Sequence, residues 1–236
     1  MIDPPPAYEP GVLARLGGRF SPGIQTVLDT VQKRSEQWHR ANIEALSGTD
    51  PLWVALGDST AQAIGASSMH EGYVGQLGRR LDAAGRPHDV VNLARTGARI
   101  DHVLHHQLEQ LEQLTRPPAL VTCAVGSNDV IRLDSALVVT GRMRNLLCRL
   151  GALESTVVVA TIPQGRSSWF ARRANQLIRR DGPGHGLAVA DVARSLRGPF
   201  EAKVAADRFH PNDAGYADWT EAFLGPLGLD SDLDTP

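Results

Sequence analysis

Cysteine is scarce in this sequence, with two residues in a chain of 236. Small secreted proteins that are held together by disulfides carry many more, so a disulfide framework of that kind is excluded. Cys123 lies in an apolar run and Cys148 in a stretch with helical character. We expect both to be buried, reduced thiols.

Long apolar runs and a strong net charge are also missing. No stretch approaches the roughly 20 apolar residues of a membrane-spanning helix, so no membrane span is predicted. The formal charge of -2 and the pI near 6.4 provide no global attraction to nucleic acid or to an anionic membrane. The start of the chain, Met1 to Pro6, has an acid and three prolines where a signal peptide has a basic start and an apolar run. We therefore expect a cytoplasmic protein that binds no nucleic acid.

Repeats and internal linkers are absent after residue 51, so one α/β domain is predicted over residues 51–228. A composition of 42% hydrophobic and 21% charged residues is sufficient for a full core. Residues 1–50 are predicted to form an arm and an amphipathic helix, and residues 229–236 a tail. The helix would begin at Ser21-Pro22, because serine suits the N-cap and proline the first turn. Its apolar stripe comprises Ile24, Val27, Leu28, Val31 and Trp38.

From Pro51 onward, short apolar runs alternate with amphipathic stretches, a pattern typical of βα units around a parallel sheet. Buried strands are predicted at Leu52–Leu56, Asp89–Leu93, Leu120–Val125, Thr156–Thr161 and Leu187–Val192. Helices are predicted near 72–84, 101–114, 135–150, 169–180 and 213–224. The predicted fold class is α/β, a three-layer α/β/α sandwich with a mostly parallel five-stranded sheet.

The G-x-S-x-G elbow and the G-x-x-x-x-G-K phosphate loop are both missing. The informative residues follow the strands, where open α/β sheets bind their ligands. Gly57-Asp58-Ser59 places a hydroxyl on a tight turn after the first strand. After the second strand the backbone of Gly97, and after the third the amide of Asn128, are suited to hold a carbonyl oxygen. Taken singly, each is also explained as ordinary loop chemistry, such as a loop glycine or an Asx turn.

A carboxylate and an imidazole follow near the end of the chain, in Asp207-Arg208-Phe209-His210. A serine hydroxyl needs a base to remove its proton during attack, and a carboxylate fixes the tautomer of that base. Nucleophile, base, orienting acid and two oxyanion donors are then all present. Together they predict serine-dependent acyl transfer, with Ser59 as the nucleophile.

At this point the chain resembles the SGNH hydrolases, also called GDSL esterases and lipases. The motifs Gly-Asp-Ser, Asn-x-Ala-x-Thr-Gly, Gly-x-Asn-Asp and Asp-x-x-His-Pro stand in the family's order between Leu52 and Asn212. The resemblance implies a flavodoxin-like SGNH fold. It also implies a triad of Ser59, Asp207 and His210, and an oxyanion hole of Ser59, Gly97 and Asn128. Thr60 departs from the family, which often has Leu, Tyr or Phe there, and we expect it to alter the pocket floor.

Families of this type hydrolyse carboxylic esters, thioesters and acetylated sugars, and some members transfer the acyl group to a sugar hydroxyl. An arginine run favours a phosphate-bearing donor such as acyl-CoA, because Arg172 and Arg179 can share one helical face. A solvated helix face explains the same run, which comprises Arg166, Arg172, Arg173, Arg179 and Arg180.

The chain also resembles octanoyltransferases that acylate diglucosylglycerate on the route to methylglucose lipopolysaccharides. That resemblance implies octanoyl-CoA and a glucosylglycerate-type acceptor as small-molecule partners. Plain ester hydrolysis is the first alternative. The second is a saccharide- or lipid-binding module on an inactive SGNH scaffold.

Two further signals have a simpler explanation. His102 and His106 are one helical turn apart, a spacing that can bind zinc, but no third ligand or H-E-x-x-H pattern accompanies them. We expect solvated histidines, no metal and no cofactor. Trp169 and Phe170 follow the fourth strand and are suited either to line an acyl or sugar pocket or to pack in the core.

Overall fold

The computed structural model describes residues 22–131, 135–163, 168–196 and 198–229. Its strands are β1 Leu52–Gly57, β2 Asp89–Asn92, β3 Leu120–Ala124, β4 Thr156–Ala160 and β5 Ala188–Ala190. The helices of the first half are α1 Pro22–Ser47, α2 Tyr73–Ala83, α3 Ile100–His102, a π-helical segment Val103–Gln107 and α4 Leu108–Glu112. Those of the second half are α5 Ser127–Ile131, α6 Ala136–Gly151, α7 Ser168–Asp181, α8 Val192–Ser195 and α9 Asp213–Leu224.

The five strands form one parallel sheet in the order β2-β1-β3-β4-β5. Every residue of β1 and β3 is buried, because helices cover both faces of the sheet. The predicted α/β/α sandwich is therefore confirmed. The strand order reverses direction beside β1, so the carboxyl ends of β1, β2 and β3 meet at the place where such sheets bind ligands.

The structure differs from the sequence prediction at two elements. β5 covers only Ala188–Ala190, because Asp191 is already the N-cap residue of the short helix α8, and its backbone carbonyl accepts from the N–H of Arg194. The predicted helix near 101–114 contains a π-helical turn in its middle. Residues 127–131, on which the sequence made no helix prediction, form a short helix.

The N-terminal helix α1 packs against its own chain. Trp38 is buried and its indole N–H donates to the carbonyl of Gln62 at 3.3 Å, while Arg34 donates to the carbonyl of Ala66 at 3.1 Å. Val31, also in the predicted stripe, is buried as well. The predicted stripe residues Ile24, Val27 and Leu28 have side chains outside the described ones, as do residues 1–21 of the arm and 230–236 of the tail.

Asn42 on α1 completes the outer edge of β2. Its side-chain amide donates to the carbonyl of Asn92 at 2.9 Å and its oxygen accepts from the N–H of Asn92 at 2.8 Å. An edge strand otherwise leaves such backbone groups unpaired. The division of the chain at residue 50 stays a prediction, but the helix before that point clearly contacts the sheet after it.

The cysteines differ from each other in exposure. Cys123 on β3 is fully buried, as expected, whereas Cys148 on α6 is exposed. The expectation for Cys148 was wrong because α6 buries a different face, formed by Val139, Met143, Leu146, Leu147 and Leu150. Within the described part of the chain, no helix has the length and apolar character to cross a membrane.

Candidate active site

Ser59 lies on a turn directly after β1, at the carboxyl edge of the sheet. Gly57, the last residue of the strand, has φ +145°, a conformation that other residues rarely adopt. A Cβ atom at Gly57 would also overlap the backbone carbonyl of Ala124 on β3. Glycine is thus required for the strand to bend into the turn that carries the serine.

A continuous line of hydrogen bonds joins Ser59 to two residues near the end of the chain. Ser59 Oγ lies 2.9 Å from His210 Nε2, and His210 Nδ1 lies 2.5 Å from Asp207 Oδ2. Ser59 is 4% exposed and His210 5%. The three side chains that the motifs predicted are therefore in contact and shielded from bulk water, which strengthens their electrostatic coupling.

Asp207 is held as a carboxylate by its surroundings. Its Oδ1 accepts from the backbone N–H groups of Phe209 and His210, each at 3.0 Å. Burial acts to raise the pKa of Asp207, but the hydrogen bond and charge of His210 and the two N–H groups outweigh it and lower the pKa. Arg208, between these residues, has φ +55°, so the tight turn that aims the histidine contains a strained residue.

Gly65 permits the serine turn to approach His210. It has φ +93°, and a Cβ atom there would lie 2.7 Å from His210 Cβ and would overlap the carbonyl of Pro211. The serine turn and the histidine turn are therefore in direct van der Waals contact. Gly65 was not predicted as a site residue, and in the sequence only its position six residues after the serine indicates this role.

The two predicted oxyanion donors lie on neighbouring segments that are fastened to each other. Asn128 at the start of α5 donates one amide N–H to the carbonyl of Ala98 at 2.9 Å, which leaves the second N–H for another acceptor. Gly97 is exposed, with φ +79° and no atom within 4 Å of a hypothetical Cβ. Asp129, fully buried, accepts from the N–H of Ile100 at 3.1 Å. The segment after β3 thus fixes the loop that carries Gly97.

Gln62 fastens the same loop to the serine turn, a contact that the sequence analysis missed. Its buried side-chain oxygen accepts from the N–H of Thr96 at 2.9 Å and from the Thr96 hydroxyl at 2.6 Å. The side chain of Asn92 adds a second link, because it donates to the carbonyl of Ala61 at 2.8 Å. No local sequence pattern predicts either hydrogen bond.

Thr60 uses its polar groups locally. Its backbone N–H and its hydroxyl both donate to Asp58 Oδ1, at 3.0 and 2.8 Å. Burial raises the pKa of the Asp58 carboxyl, although the hydrogen bonds from Thr60 and the charge of His210 act in the opposite direction. Since Thr60 is itself buried, it supports the turn from behind.

A sequence profile of the GDSL-like lipase/acylhydrolase family matches residues 55–217, about two thirds of the chain. The chain belongs to this family. The matched region contains all three members of the hydrogen-bonded line and both candidate donors. No curated protein sequence matches significantly.

Several solved structures share the fold. LAE5, an alpha/beta hydrolase enzyme from the metagenome of Lake Arreo, is 25% identical with a TM-score of 0.63, covering 77% of this chain and 97% of its own. TesA is 21% identical with a TM-score of 0.65, covering 75% and 99%. Axe2, an acetylxylan esterase from Geobacillus stearothermophilus, is 20% identical with a TM-score of 0.61, covering 77% and 95%.

The arginines of this GDSL-family chain are less free than the sequence suggested. Arg179 donates through Nε and a terminal nitrogen to both oxygens of Asp191, at 2.8 and 2.6 Å. Those two donors are therefore not available to a phosphate, whereas Arg172 is exposed. Arg166 lies outside the described residues. Donor recognition by Arg172 and Arg179 stays a prediction, and for Arg179 the ion pair counts against it.

The histidine pair has neighbours other than a metal. His102 and His106 have ring centroids 4.8 Å apart, but His102 Nδ1 lies 3.2 Å from the amide nitrogen of Gln107. Among the residues that the structure describes, no group of three His, Cys, Asp or Glu side chains is placed to hold a metal ion.

Trp169 and Phe170 begin α7, beyond the carboxyl end of β4. Trp169 is 53% exposed and packs edge-to-face against Phe170, with the guanidinium of Arg173 5.9 Å from the Trp169 ring. Phe170 packs at the edge of the core. Trp169 is thus the member of the pair that faces solvent.

Proposed function

We propose that this GDSL-family enzyme transfers the acyl group of an ester or thioester to Ser59 and then to an acceptor hydroxyl. The observation that carries the proposal is the unbroken line from Ser59 Oγ through His210 to Asp207. A binding module on an inactive scaffold has no need of this line, and its intact geometry argues against that alternative.

His210 is proposed as the general base in the attack. In its neutral form Nδ1–H donates to Asp207, so that Nε2 can accept the proton of the Ser59 hydroxyl as the oxygen attacks the acyl carbon. The imidazolium that forms lies beside the Asp207 carboxylate, which stabilises its positive charge. His210 then gives the proton to the departing alcohol or thiol, and the acyl group is left on Ser59.

The tetrahedral oxyanion is proposed to accept from the backbone N–H groups of Ser59 and Gly97 and from the second amide N–H of Asn128. Donors of this kind stabilise charge that develops only during the reaction, and removal of one typically raises the barrier by about 3 kcal/mol. The bond from Asn128 to Ala98 supports this assignment, since it fixes the amide before substrate binds.

The second half of the reaction repeats these roles with the acceptor. His210 removes a proton from water or from an alcohol, whose oxygen attacks the acyl carbon. The bond from that carbon to Ser59 Oγ breaks, and His210 returns the proton to Ser59. Hydrolysis to the free acid is the more general proposal, and it is consistent with the family. Transfer to a sugar hydroxyl, with octanoyl-CoA as donor, is the more specific proposal. The feature that favours a sugar is Trp169, which is 53% exposed at the start of α7 and has the Arg173 guanidinium over its ring.

Replacement of the nucleophile tests acyl transfer through Ser59, whichever acceptor is used. We expect Ser59→Ala to lower the turnover of p-nitrophenyl acetate by at least about 10³-fold, because it removes the hydroxyl that is bonded to His210 Nε2. Ser47→Ala is the matched control, since Ser47 is exposed at the end of α1 and its hydroxyl donates to the carbonyl of Ile43. Full activity in Ser59→Ala would overturn the nucleophile assignment.

The identity of the acceptor is tested by product analysis. The enzyme is supplied with octanoyl-CoA, with and without a glucosylglycerate acceptor, and free octanoate and sugar ester are quantified by mass spectrometry. Transfer predicts acceptor-dependent sugar ester that decreases in Trp169→Ala. Free octanoate alone, in the same amount with and without acceptor, would leave hydrolysis as the function and contradict transfer to a sugar hydroxyl.

A further inference from the structure

Gln107 is a fully buried polar residue that bonds to the strand end before the serine turn. Its side-chain oxygen accepts from the N–H of Gly57 at 2.8 Å, and its side-chain nitrogen donates to the carbonyl of Gly57 at 2.8 Å. Both backbone groups of one residue are therefore paired with one side chain. Fifty positions of sequence separate the two residues.

These bonds occur where the pairing of β1 with β2 stops, while β1 still pairs with β3 as far as Gly57 with Ala124. β1 and β2 pair from Leu52 with Asp89 to Ala55 with Asn92, and the N–H of Arg95 still donates to the carbonyl of Gly57 at 3.2 Å. The Gly57 N–H is taken by Gln107. Gln107 therefore replaces a strand at the point where the backbone bends toward Ser59. An unpaired buried N–H at this position would be costly.

The second N–H of the Gln107 amide is directed to His102, whose Nδ1 lies 3.2 Å away. The other ring nitrogen of His102 lies 3.4 Å from a guanidinium nitrogen of Arg95. Burial, together with the charges of Arg95 and His106, lowers the pKa of His102 to about 4. At neutral pH the imidazole is therefore neutral and accepts through one nitrogen only, either Nδ1 from Gln107 or Nε2 from Arg95.

The amide of Gln107 has only one orientation that satisfies its neighbours. Its oxygen must accept from the Gly57 N–H, and its nitrogen must donate to the Gly57 carbonyl. The residue sits at the end of the π-helical segment Val103–Gln107. Such turns are often found at functional sites, although on its own this one would carry no conclusion.

We propose that Gln107 is a positioning residue that sets the Ser59 backbone N–H and the Gly97 loop in the arrangement that the oxyanion requires. The carbonyl of Gly57 connects Gln107, the serine turn and the loop that carries Gly97. It accepts from Gln107, it precedes Ser59 by two residues, and it accepts from Arg95, which precedes Gly97 by two residues. The inference rests on the proposed function, since it presumes acyl transfer at Ser59.

The test uses two replacements. Gln107→Met removes the hydrogen bonds of the amide, and Gln107→Asn keeps the amide but shortens the side chain by one methylene, so that it no longer reaches both backbone groups of Gly57. Gln113→Met and Gln113→Asn are the matched controls, because Gln113 is an exposed glutamine just after the same helix. For each protein kcat and KM are measured with p-nitrophenyl acetate, together with the Ki of a boronic acid that forms a tetrahedral adduct.

A misplaced oxyanion site weakens the transition state and leaves ground-state binding nearly unchanged. We expect kcat of both Gln107 variants to fall by about 10- to 100-fold, with KM changed by less than about threefold. The boronic acid Ki should rise by a similar factor, and the Gln113 variants should match wild type. A purely structural role predicts lower melting temperatures with wild-type kcat and Ki for the folded enzyme.

Wild-type kcat and Ki in folded Gln107→Asn would overturn the inference, even if Gln107→Met fails to fold. The proposed function fails in a different way. If Ser59→Ala retains turnover, acyl transfer at Ser59 is refuted whatever the Gln107 variants do. If Ser59→Ala is inactive and the Gln107 variants match wild type, only the positioning role is refuted.

Discussion

Asn42→Leu is expected to destabilise the protein strongly, although Asn42 lies before the region that the family profile matches. Leucine has a similar volume and fills the same space, but it can neither donate nor accept. The N–H and the carbonyl of Asn92 then lose the partners that lie 2.8 and 2.9 Å away. Both residues are about 5% exposed, so water replaces those partners poorly.

The size of the effect follows from the two orphaned groups. A buried polar group that loses its hydrogen bond typically costs about 1–3 kcal/mol. Two such groups give an expected decrease of about 2–6 kcal/mol in the free energy of unfolding, offset by about 1 kcal/mol from the added apolar burial. Because a whole domain is stable by only about 5–15 kcal/mol, the loss would be visible without special conditions.

Urea denaturation followed by circular dichroism measures this change. Asn145→Leu is the control, since Asn145 lies exposed on α6. A decrease at the midpoint with an unchanged m-value would show lost stability of the same native fold. If Asn42→Leu differs from Asn145→Leu by less than about 0.5 kcal/mol, α1 does not stabilise the β2 edge through these bonds.

Three other replacements or reactions test separate parts of the account. Gly57→Ala should lower the free energy of unfolding by several kcal/mol in urea denaturation, because the left-handed φ and the overlap with Ala124 act together; a change below about 1 kcal/mol would contradict this. In native protein a thiol reagent should modify the exposed Cys148 rapidly and spare the buried Cys123. Burial and the nearby charge of Asp58 raise the pKa of the Cys123 thiol to about 12, and rapid modification of both cysteines would contradict the core assignment. The lowered pKa of Asp207 contributes stability that is present above about pH 4 and is lost as the pH falls through the folded-state pKa. The free energy of unfolding of Asp207→Asn should therefore decrease less between neutral and acid pH than that of wild type. An unchanged pH dependence would count against the ion pair with His210.

The parts of the fold that sequence predicts well are those with a local pattern. Strands buried on both faces are short continuous apolar runs, and β1 and β3 were recognisable for that reason. β5 is three residues long and was predicted too long, because its neighbouring apolar residues serve a loop and the helix α8. For helices, the sequence predicts the element better than the face that each residue occupies. Cys148 is exposed although its neighbour Leu147 is buried.

The site divides in the same way. Ser59, Asp207 and His210 were predicted because each stands in a short motif of fixed spacing, and the structure brings their side chains together. Gln62 and Gln107 were not predicted, because each acts through bonds between a side chain and a distant backbone. Such contacts depend on how elements pack and leave no periodic or compositional trace in the sequence.

The central claim is that Ser59 carries the acyl group, and covalent labelling tests it most directly. The protein is treated with a fluorophosphonate, and intact-mass spectrometry with peptide mapping locates the adduct. We predict one adduct per chain, on Ser59, that is absent from Ser59→Ala. An adduct that persists in Ser59→Ala, or no adduct on a folded wild-type protein, would contradict it.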